Sequence, residues 1–512
     1  MLNQQNYDDS DQHKSKKKII ENERSRLKER CGFGMNVFFH LPLKREIQSI
    51  FESWIKKYNL ESLYAIRMDG IDDEVGEGPL KRIVKWQFDY LDIKYARYEN
   101  CPFYDELSPL DAAILDKMSR FGPEALKMLE RTGELHDSAE RRMIQYHQHL
   151  RYWNYFLDRA QIDLLFLVGV PHELYDYFLF RLCQIKGIQV VLATTLPFQA
   201  SQRIMPLKGS YEVFDETVAA RIEEYRTAYK TADDVKLGEA AQKEYDLFCG
   251  VSKQIVSVGG SRPKLSDYLS VFKSEFKRAK SDAFVRIPRH IRAKREINSL
   301  LRYYAHLTKE PDLSVPYIYF PLHYQPEMTT SPSGGWFVHQ YLAVQMLSYY
   351  APPGVWIYVK EHPVYKRVYT STRIKAHYDL IAGLKNVKMV PLETDTIELT
   401  KHAAAVSSIT GSVGYEAMYQ HKPYIMFGNQ VMRYGPGTLN VRNNEDCRRA
   451  MARIFDEGVT YDDRDIKIFL KVMEEVSCKG TYIKEGFTEE ALAELSVKWD
   501  AILEEYFGKK DS

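Results

Sequence analysis

Residues 404–417 read AAVSSITGSVGYEA: a short apolar strand, a turn rich in glycine and serine, and the start of a helix. The pattern predicts a strand over Ala404–Ile409 and a helix that begins near Val413. A strand that passes through one tight turn into a helix is typical of a parallel α/β sheet. The second half of the chain is therefore predicted to have this architecture.

Similar strand–helix units lie on both sides of this stretch. Each predicted strand precedes a helix, and the strands are Tyr317–Phe320, Val355–Lys360, Asn386–Val390, Ala404–Ile409 and Pro423–Phe427. Consecutive units of this kind form a parallel sheet that is covered by helices on both faces.

The first half of the chain gives a sparser version of the same pattern. Strands are predicted over Asn36–Leu41, Leu63–Met68 and Ile162–Val168, with residues 79–160 mostly helical. A helix over Glu173–Lys186 and a strand over Gln189–Ala193 complete a βαβ unit. The predicted fold class is therefore α/β and GT-B-like, with two Rossmann-like domains that face a cleft and carry helical insertions.

Four segments are predicted along the chain. Residues 1–30 form a disordered, charged tail, and residues 31–300 form the first domain with its helical insertions and a basic linker. Residues 301–487 form the second domain. In the final segment, 488–512, Leu492, Leu495 and Trp499 recur at helical spacing, so this helix is predicted to pack back on the body.

Composition excludes several classes of protein. Lys and Arg number 71 against 70 Asp and Glu, and a net charge of +1 argues against a nucleic-acid-binding protein. No apolar run approaches the ~20 residues that span a bilayer, and the polar N-terminus contains no apolar signal segment. The six cysteines are widely spaced, which is typical of reduced thiols. The expected location is the cytoplasm.

One stretch, residues 261–303, is strongly basic and has phenylalanines between its charges. Such a segment could lie on an anionic membrane surface or bind an anionic polymer. A solvated linker helix has the same composition, and the sequence leaves both readings open.

Polar residues cluster just after the predicted strands of the second domain. They are His323, Gln325, Lys360, Glu361, His362, Ser408, Thr410, Gly411, Ser412 and Glu416. Ligands of doubly wound sheets bind at this edge. Free N–H groups and hydroxyls around Thr410 suit a phosphate, and the Glu416 carboxylate suits a ribose diol. The alternatives are an N-capped helix with a surface glutamate and a structural His362.

Other chemistries lack their motifs. The chain has no GxxxxGK[ST] loop, and HExxH is absent because His172-Glu173 is not followed by a second histidine at the required spacing. Asp463-Arg464-Asp465 matches a DxD pattern but is predicted to open a helix rather than to end a strand. No metal site is therefore predicted.

These loops resemble those of bacterial capsular-polysaccharide biosynthesis proteins, which are GT-B glycosyltransferases related to the capsule Kdo transferases. The resemblance rests on YIYFPLHYQPE at 317–327, YVKEHP at 358–363 and TGSVGYEA at 410–417, and GVPHE at 169–173 also looks similar. The His-Pro and Ser/Thr elements are also similar to those of bacterial sialyl- and polysialyltransferases.

The resemblance implies a metal-independent glycosyltransferase without a cofactor, for which a nucleotide sugar is the co-substrate. It implies that His362, Ser408, Thr410, Ser412 and Glu416 bind the donor nucleotide, expected to be CMP linked to a Kdo-like or sialic-acid-like sugar. The acceptor would be a surface or capsular polysaccharide or its lipid-linked primer. The enzyme would then work at the inner face of a bacterial membrane, with residues 261–303 in peripheral contact.

A carboxylate or histidine of the first domain is expected to take the proton of the acceptor hydroxyl. The candidates are His172, Glu173, Asp176 and Asp69, which follow predicted strands. Glu173 and Asp176 could instead only favour a helix start. Two other functions stay open, namely a nucleotide-sugar epimerase of the same double-Rossmann layout and a non-catalytic capsule-assembly scaffold.

Overall fold

The computed structural model describes residues 34–131, 138–249, 283–366, 373–480, 482–483 and 486–507. The predicted tail at 1–30 lies outside the described residues, and so does the basic stretch as far as residue 282.

The strands of the described chain form two large sheets and one hairpin. In chain order they are β1 Met35–Phe39, β2 Leu60–Arg67, β3 Val84–Asp89, β4 Leu164–Val168, β5 Gln189–Leu196, β6 Arg203–Lys208, β7 Tyr317–Pro321, β8 Trp356–Lys360, β9 Val387–Met389, β10 Ala405–Ser408, β11 Tyr424–Met426, β12 Thr438–Asn440, β13 Cys478–Lys479, β14 Tyr482–Ile483 and β15 Gly486–Phe487.

Helices connect most of these strands. The α-helices of the described chain are α1 Arg45–Lys57, α2 Pro79–Ile83, α3 Tyr90–Lys94, α4 Ala112–Ser119, α5 Gly122–Met128, α6 Ala139–Arg159, α7 Leu174–Lys186, α8 Glu216–Ala228, α9 Glu239–Phe248, α10 Ala283–Leu307, α11 Gln340–Tyr350, α12 Lys375–Ala382, α13 Thr396–His402, α14 Val413–Tyr419, α15 Asn444–Ala452, α16 Asp463–Val476 and α17 Glu489–Phe507.

The second sheet has the order β12-β11-β10-β7-β8-β9, and all of its strands are parallel. The chain leaves β7 towards one edge and returns at β10 to build the other. The connections from β7 and β10 therefore run in opposite directions, which opens a crevice between the carboxyl ends of these two strands.

The first sheet has the order β13-β6-β5-β4-β1-β2-β3. Its strands β1 to β5 are parallel, whereas β6 and β13 are antiparallel additions. The corresponding crevice lies between β1 and β4. Both domains are Rossmann-like, and the predicted α/β, GT-B-like fold class is confirmed.

Two strands differ from the prediction. Strand β3 lies within the region 79–160, which the sequence predicts to be mostly helical, and β6 has no counterpart in the prediction. Both strands are far from the sheet centre, and β3 shows one fully buried residue, Phe88, in six. An edge strand of this kind lacks the apolar run that marks a buried parallel strand.

The end of the chain crosses back to the first domain. Strand β13 pairs with β6, and α17 packs on the first sheet through Trp499, whose ring lies 5.5 Å from that of Phe166 and 6.3 Å from that of Trp54. Before this crossing, α16 packs on α8 and α9, where Tyr225 and Tyr245 donate hydrogen bonds to Glu475 and Asp463. The C-terminal elements α16, β13 and α17 therefore link the two domains.

Candidate functional site

A cleft of about 850 Å³ lies between the two domains. It opens where the carboxyl ends of the central strands of both sheets approach each other. Its polar lining comes from both domains and consists of Lys94, Lys127, Glu130, Arg131, Arg142, His172, Glu173, Tyr324, Gln325, Glu327, His339, Tyr341, Arg373 and His377.

Glu173 and Asp176 begin helix α7 with a capping box. The Asp176 carboxylate accepts hydrogen bonds from the main-chain N–H groups of His172, at 2.9 Å, and Glu173, at 3.0 Å. Burial raises the pKa of Asp176 to about 8, and the main-chain hydrogen bonds act in the opposite direction. Asp176 is fully buried and is absent from the cleft lining. Its carboxylate therefore fixes the loop instead of facing the cleft.

Glu173 does face the cleft, and its two carboxylate oxygens have different surroundings. Oε1 accepts hydrogen bonds from Lys94 Nζ at 2.7 Å and from the Tyr90 hydroxyl at 3.0 Å. Oε2 is buried and has no hydrogen-bond partner within the described part of the chain. Glu173 therefore lines the cleft with a side chain that is only 6% exposed and whose Oε2 is itself buried.

His172 and Asp69 occupy different environments. His172 lines the cleft, and burial lowers its pKa, with Arg131 contributing in the same direction. The Arg131 guanidinium bridges the domains, because it donates to the main-chain oxygens of His172 and Ser331. Asp69 lies exposed in a turn after β2, one strand beyond the β1–β4 crevice, and is not part of the cleft lining.

Lys360 and His362 follow β8 in the second domain. Lys360 is buried and donates to the main-chain oxygen of Thr394. Burial lowers its pKa to about 8, and the neighbouring Asp395 and Glu416 are among the carboxylates that oppose this. Burial also lowers the pKa of His362, whose Nδ1 accepts a hydrogen bond from the Val364 N–H at 3.2 Å. A neutral His362 therefore carries its proton on Nε2 and can donate it to an anion.

Hydrogen bonds to the side chains of Ser408 and His323 hold the turn after β10 in place. Ser408 Oγ accepts the Gly411 N–H at 2.9 Å, and His323 Nε2 accepts the Thr410 N–H at 3.3 Å. Burial lowers the pKa of His323 to about 3, so it is neutral and serves as an acceptor. Ser408, Thr410 and His323 therefore shape the turn.

Ser412 and Glu416 are the accessible members of this turn. Ser412 is exposed, and Glu416 is partly buried on the first turn of α14. Burial raises the pKa of Glu416, and Lys360 opposes that shift. The first N–H groups of a helix have no acceptor within it, so those of Ser412 and Val413 suit an anionic oxygen.

A buried arginine joins the loops that follow β7 and β8. Arg373 donates through Nε to Glu361 Oε2 at 3.0 Å, through Nη1 to Gln325 Oε1 at 2.9 Å, and through Nη2 to the His323 carbonyl at 2.8 Å. Glu361 also accepts a hydrogen bond from Tyr378 at 2.7 Å. Glu361 and Gln325, which the sequence predicts as nucleotide-binding residues, thus have side chains that support the loops.

The predicted residues differ in their relation to the cleft. His172 and Glu173 line it from the first domain and Gln325 lines it from the second, whereas Lys360, His362, Ser412 and Glu416 are not among its lining residues. Of these four, His362 lies near a residue that does line the cleft, because its ring centroid is 6.4 Å from that of Tyr324.

Several cleft residues have no signal in the sequence. The cationic and aromatic ones among them are Lys94, Lys127, Arg131, Arg142, Tyr324, His339, Tyr341, Arg373 and His377. Most of them sit on helices or connections whose position depends on packing between distant segments. A local motif could have identified only Tyr324, because it stands between His323 and Gln325.

Gly428 packs closely against the turn after β10 and leaves no room for a larger side chain. A Cβ atom there would lie 2.3 Å from Thr410 Cγ2 and within 3.0 Å of the carbonyl oxygens of Ile409 and Ser333. We expect Gly428→Ala to displace this turn, to cost about 1–3 kcal/mol of stability, and to weaken nucleotide binding. Thermal melting and nucleotide titration test this, with Gly76→Ala as the control because nothing lies within 4 Å of its Cβ position. Unchanged nucleotide affinity in Gly428→Ala would contradict the expectation.

No group of three or more His, Cys, Asp or Glu side chains in the described residues could hold a metal ion. No helix in the same residues is long and apolar enough to cross a membrane. The DxD residues Asp463–Asp465 open helix α16, as the sequence predicts.

Residues 341–453 match the family model described as capsule polysaccharide biosynthesis protein, which confirms the resemblance over that part of the second domain. Among curated proteins, none matches this chain.

Solved structures of low identity are also similar. KpsC from Thermosulfurimonas dismutans, a β-Kdo 2,7-transferase, is 12% identical, with 77% of this chain and 97% of that chain covered and a TM-score of 0.29. UDP-GlcNAc 2-epimerase from Methanocaldococcus jannaschii is 12% identical, with 87% and 99% covered and a TM-score of 0.25. At these identities and TM-scores, the likeness says nothing about the activity of this chain.

Proposed function

We propose that this chain, whose residues 341–453 match the capsule polysaccharide biosynthesis family, is a glycosyltransferase. It transfers a sugar from a nucleotide donor to a surface polysaccharide or its lipid-linked primer. The observation that carries the proposal is the arrangement at the cleft: Glu173 lines it from one domain, and Tyr324, whose ring centroid lies 6.4 Å from that of His362, lines it from the other.

The donor side has the groups that a nucleotide needs. His362 Nε2–H and the N–H groups of Ser412 and Val413 suit the phosphate, and the Glu416 carboxylate suits the ribose hydroxyls. Lys360 adds positive charge next to Glu416. We propose CMP as the nucleotide, which rests on the similarity of the His-Pro and Ser/Thr elements to those of sialyltransferases.

The transfer step uses both sides of the cleft. The acceptor hydroxyl donates its proton to the Glu173 carboxylate while its oxygen forms a bond to the anomeric carbon of the donor sugar. The bond from that carbon to the phosphate oxygen breaks, and its electron pair leaves with the nucleotide. Hydrogen bonds from His362 and from the turn after β10 stabilise the charge on the departing phosphate. The proposal requires neither a metal ion nor a cofactor.

The proposal also covers the cellular location of the enzyme and the class of its acceptor. A cytoplasmic enzyme that acts at the inner face of the membrane meets both a soluble nucleotide sugar and a growing polysaccharide. The basic composition of residues 261–303 supports contact with an anionic membrane surface.

Thermal melting with CMP, UDP, GDP and ADP at millimolar concentration tests the donor site. A ligand at ~100 times its dissociation constant adds ~2.7 kcal/mol to stability, so we expect the melting temperature to rise by a few degrees with CMP. We expect the Glu416→Gln and His362→Ala variants to show no such increase in melting temperature with CMP. The control is Glu398→Gln, because Glu398 belongs to the same domain but pairs with Lys401 and His402 on α13.

Each alternative outcome has a defined meaning. A rise with UDP or GDP alone would keep a nucleotide-dependent enzyme and reject CMP. Turnover of a nucleotide sugar without any acceptor would favour the epimerase. The absence of a rise with every nucleotide would contradict the proposal and favour a scaffold.

A further inference from the structure

We infer that Arg131 is a positioning residue that fixes the cleft wall formed by His172 and Glu173 relative to the nucleotide-binding turn of the second domain. The inference rests on the proposed function, because it assumes that the turn after β10 binds the nucleotide. It does not depend on which side chain of the wall takes the acceptor proton. Arg131 carries no sequence motif, so its role depends on the fold.

The Arg131 guanidinium contacts both domains at the cleft. Its Nη1 group donates a hydrogen bond to the main-chain oxygen of His172 in the first domain, and its Nη2 group donates one to the main-chain oxygen of Ser331 in the second. Arg131 also lines the cleft. A guanidinium is planar and presents its N–H groups in a fixed fork. One side chain can therefore hold two main-chain segments at a fixed separation.

In the second domain, residues 329–333 connect this contact to the nucleotide-binding turn. The Thr410 hydroxyl donates to the main-chain oxygen of Thr329, and the Asn429 N–H donates to that of Ser333 at 2.7 Å. These two hydrogen bonds flank the carbonyl group that accepts from the guanidinium, and the middle of the segment is fully buried. A displacement of the turn is therefore passed to the guanidinium through one short, buried segment.

In the first domain, the capping box of α7 gives the cleft loop its own shape. The Asp176 carboxylate accepts the main-chain N–H groups of His172 and Glu173. Arg131 binds a carbonyl oxygen of the same loop, so the two sets of hydrogen bonds do not compete. Loss of the guanidinium should therefore leave the shape of the loop intact and remove its link to the second domain.

Other contacts keep the two domains together without Arg131. Helix α5 packs against the short 3-10 helix Gly335–Val338 of the second domain. Elsewhere, Arg433 donates to the main-chain oxygen of Glu212 at 2.9 Å, and the Asp215 N–H donates to the Tyr434 hydroxyl at 2.7 Å. We therefore expect Arg131 variants to fold with the domains associated, so that a change at the cleft reports on the lost link itself.

Hydrogen–deuterium exchange of the full chain tests the inference, with and without the nucleotide that raises the melting temperature, expected to be CMP. Exchange slows where a ligand stabilises local structure. Residues 409–416 report on nucleotide binding at the turn, and residues 169–176 report on the cleft loop. In the wild type, we expect the nucleotide to slow exchange in both segments. In Arg131→Met and Arg131→Lys, we expect it to slow exchange in residues 409–416 alone.

The lysine variant separates the fork from the charge. Lysine keeps the positive charge but presents a single ammonium group, which lacks the planar fork of the guanidinium. A cleft arginine that only attracted an anionic group of a substrate would therefore be replaced by lysine. The matched control is Arg159→Met, because Arg159 forms a surface ion pair with Glu106 at 3.1 Å and is not part of the cleft lining. We expect this control to show the wild-type pattern.

The outcomes separate the inference from the proposed function. In the wild type, slower exchange in residues 409–416 without a change in residues 169–176 would overturn the inference alone. Slower exchange in both segments of Arg131→Met, or in both segments of Arg131→Lys, would also overturn it. No change in either segment with CMP, UDP, GDP or ADP would contradict the proposed function and the inference with it. If Arg131→Met does not fold, Arg131→Lys decides by the same criterion.

Discussion

Replacing Glu173 with Gln is expected to lower kcat for sugar transfer by about 10²–10⁴-fold, which is the usual contribution of a general base. The amide keeps the size of the side chain and an acceptor oxygen for Lys94, but it cannot take a proton. The nucleotide-dependent rise in melting temperature should persist, because the donor group belongs to the other domain. Steady-state kinetics with donor and acceptor, together with thermal melting with CMP, measure both effects.

Asp69→Asn provides the control for this prediction. Sequence analysis predicts both residues as catalytic candidates, but Asp69 is exposed and outside the cleft. We therefore expect its variant to keep wild-type kcat. A Glu173→Gln enzyme with more than half of the wild-type rate, or an Asp69→Asn enzyme without activity, would contradict the proposed roles.

Arg373→Met is expected to have the largest effect on stability. Removal of the guanidinium leaves Glu361, which is buried at 1% exposure, without its cation. Breaking a buried ion pair on one side costs about 3–5 kcal/mol. The His323 carbonyl and Gln325 also lose their donor. We expect the melting temperature of the second domain to fall by on the order of 10 °C.

The control for Arg373 is an exposed arginine of the same domain. Arg448 pairs with Glu445 at 2.6 Å on helix α15, with both side chains more than half exposed. Surface pairs of this kind contribute about 0–1 kcal/mol, so Arg448→Met should melt close to the wild type. Equal melting temperatures for Arg373→Met and the wild type would show that the arginine does not support the two loops.

The regular elements of the second domain follow from local sequence. The predicted strands match β7 to β11 to within two residues at each end, and the predicted helix Thr396–His402 has the same bounds in the structure. Buried parallel strands are continuous apolar runs, and glycine, proline and capping residues mark their ends. Such signals are contained in a few consecutive residues, so they can be interpreted without knowledge of the fold.

Strands β3 and β6 could be identified as strands only from the tertiary structure. Strand β3 is an edge strand with exposed Lys85 and Trp86, and β6 pairs antiparallel beside β5. The residues of β3 form no apolar run, because one side of this strand meets solvent, and the short apolar run of β6 contains Pro206, a residue that argues against a strand. Pairing stabilises both strands, because β3 pairs with β2, and β6 pairs with β5 and with the distant β13.

The candidate site also has some features that follow from local sequence and others that depend on the tertiary structure. The sequence by itself determined that polar residues follow the central strands, and the rules of parallel sheets then bring His172, Glu173, His362 and Glu416 to two facing edges. Only the tertiary structure decided which carboxylate faces the cleft. Glu173 and Asp176 both belong to the capping box of α7, but only Glu173 also lines the cleft, where it meets Lys94 and Tyr90 of the distant helix α3. The hydrogen-bond donors around a carboxylate determine its role, and most of those donors come from other parts of the chain.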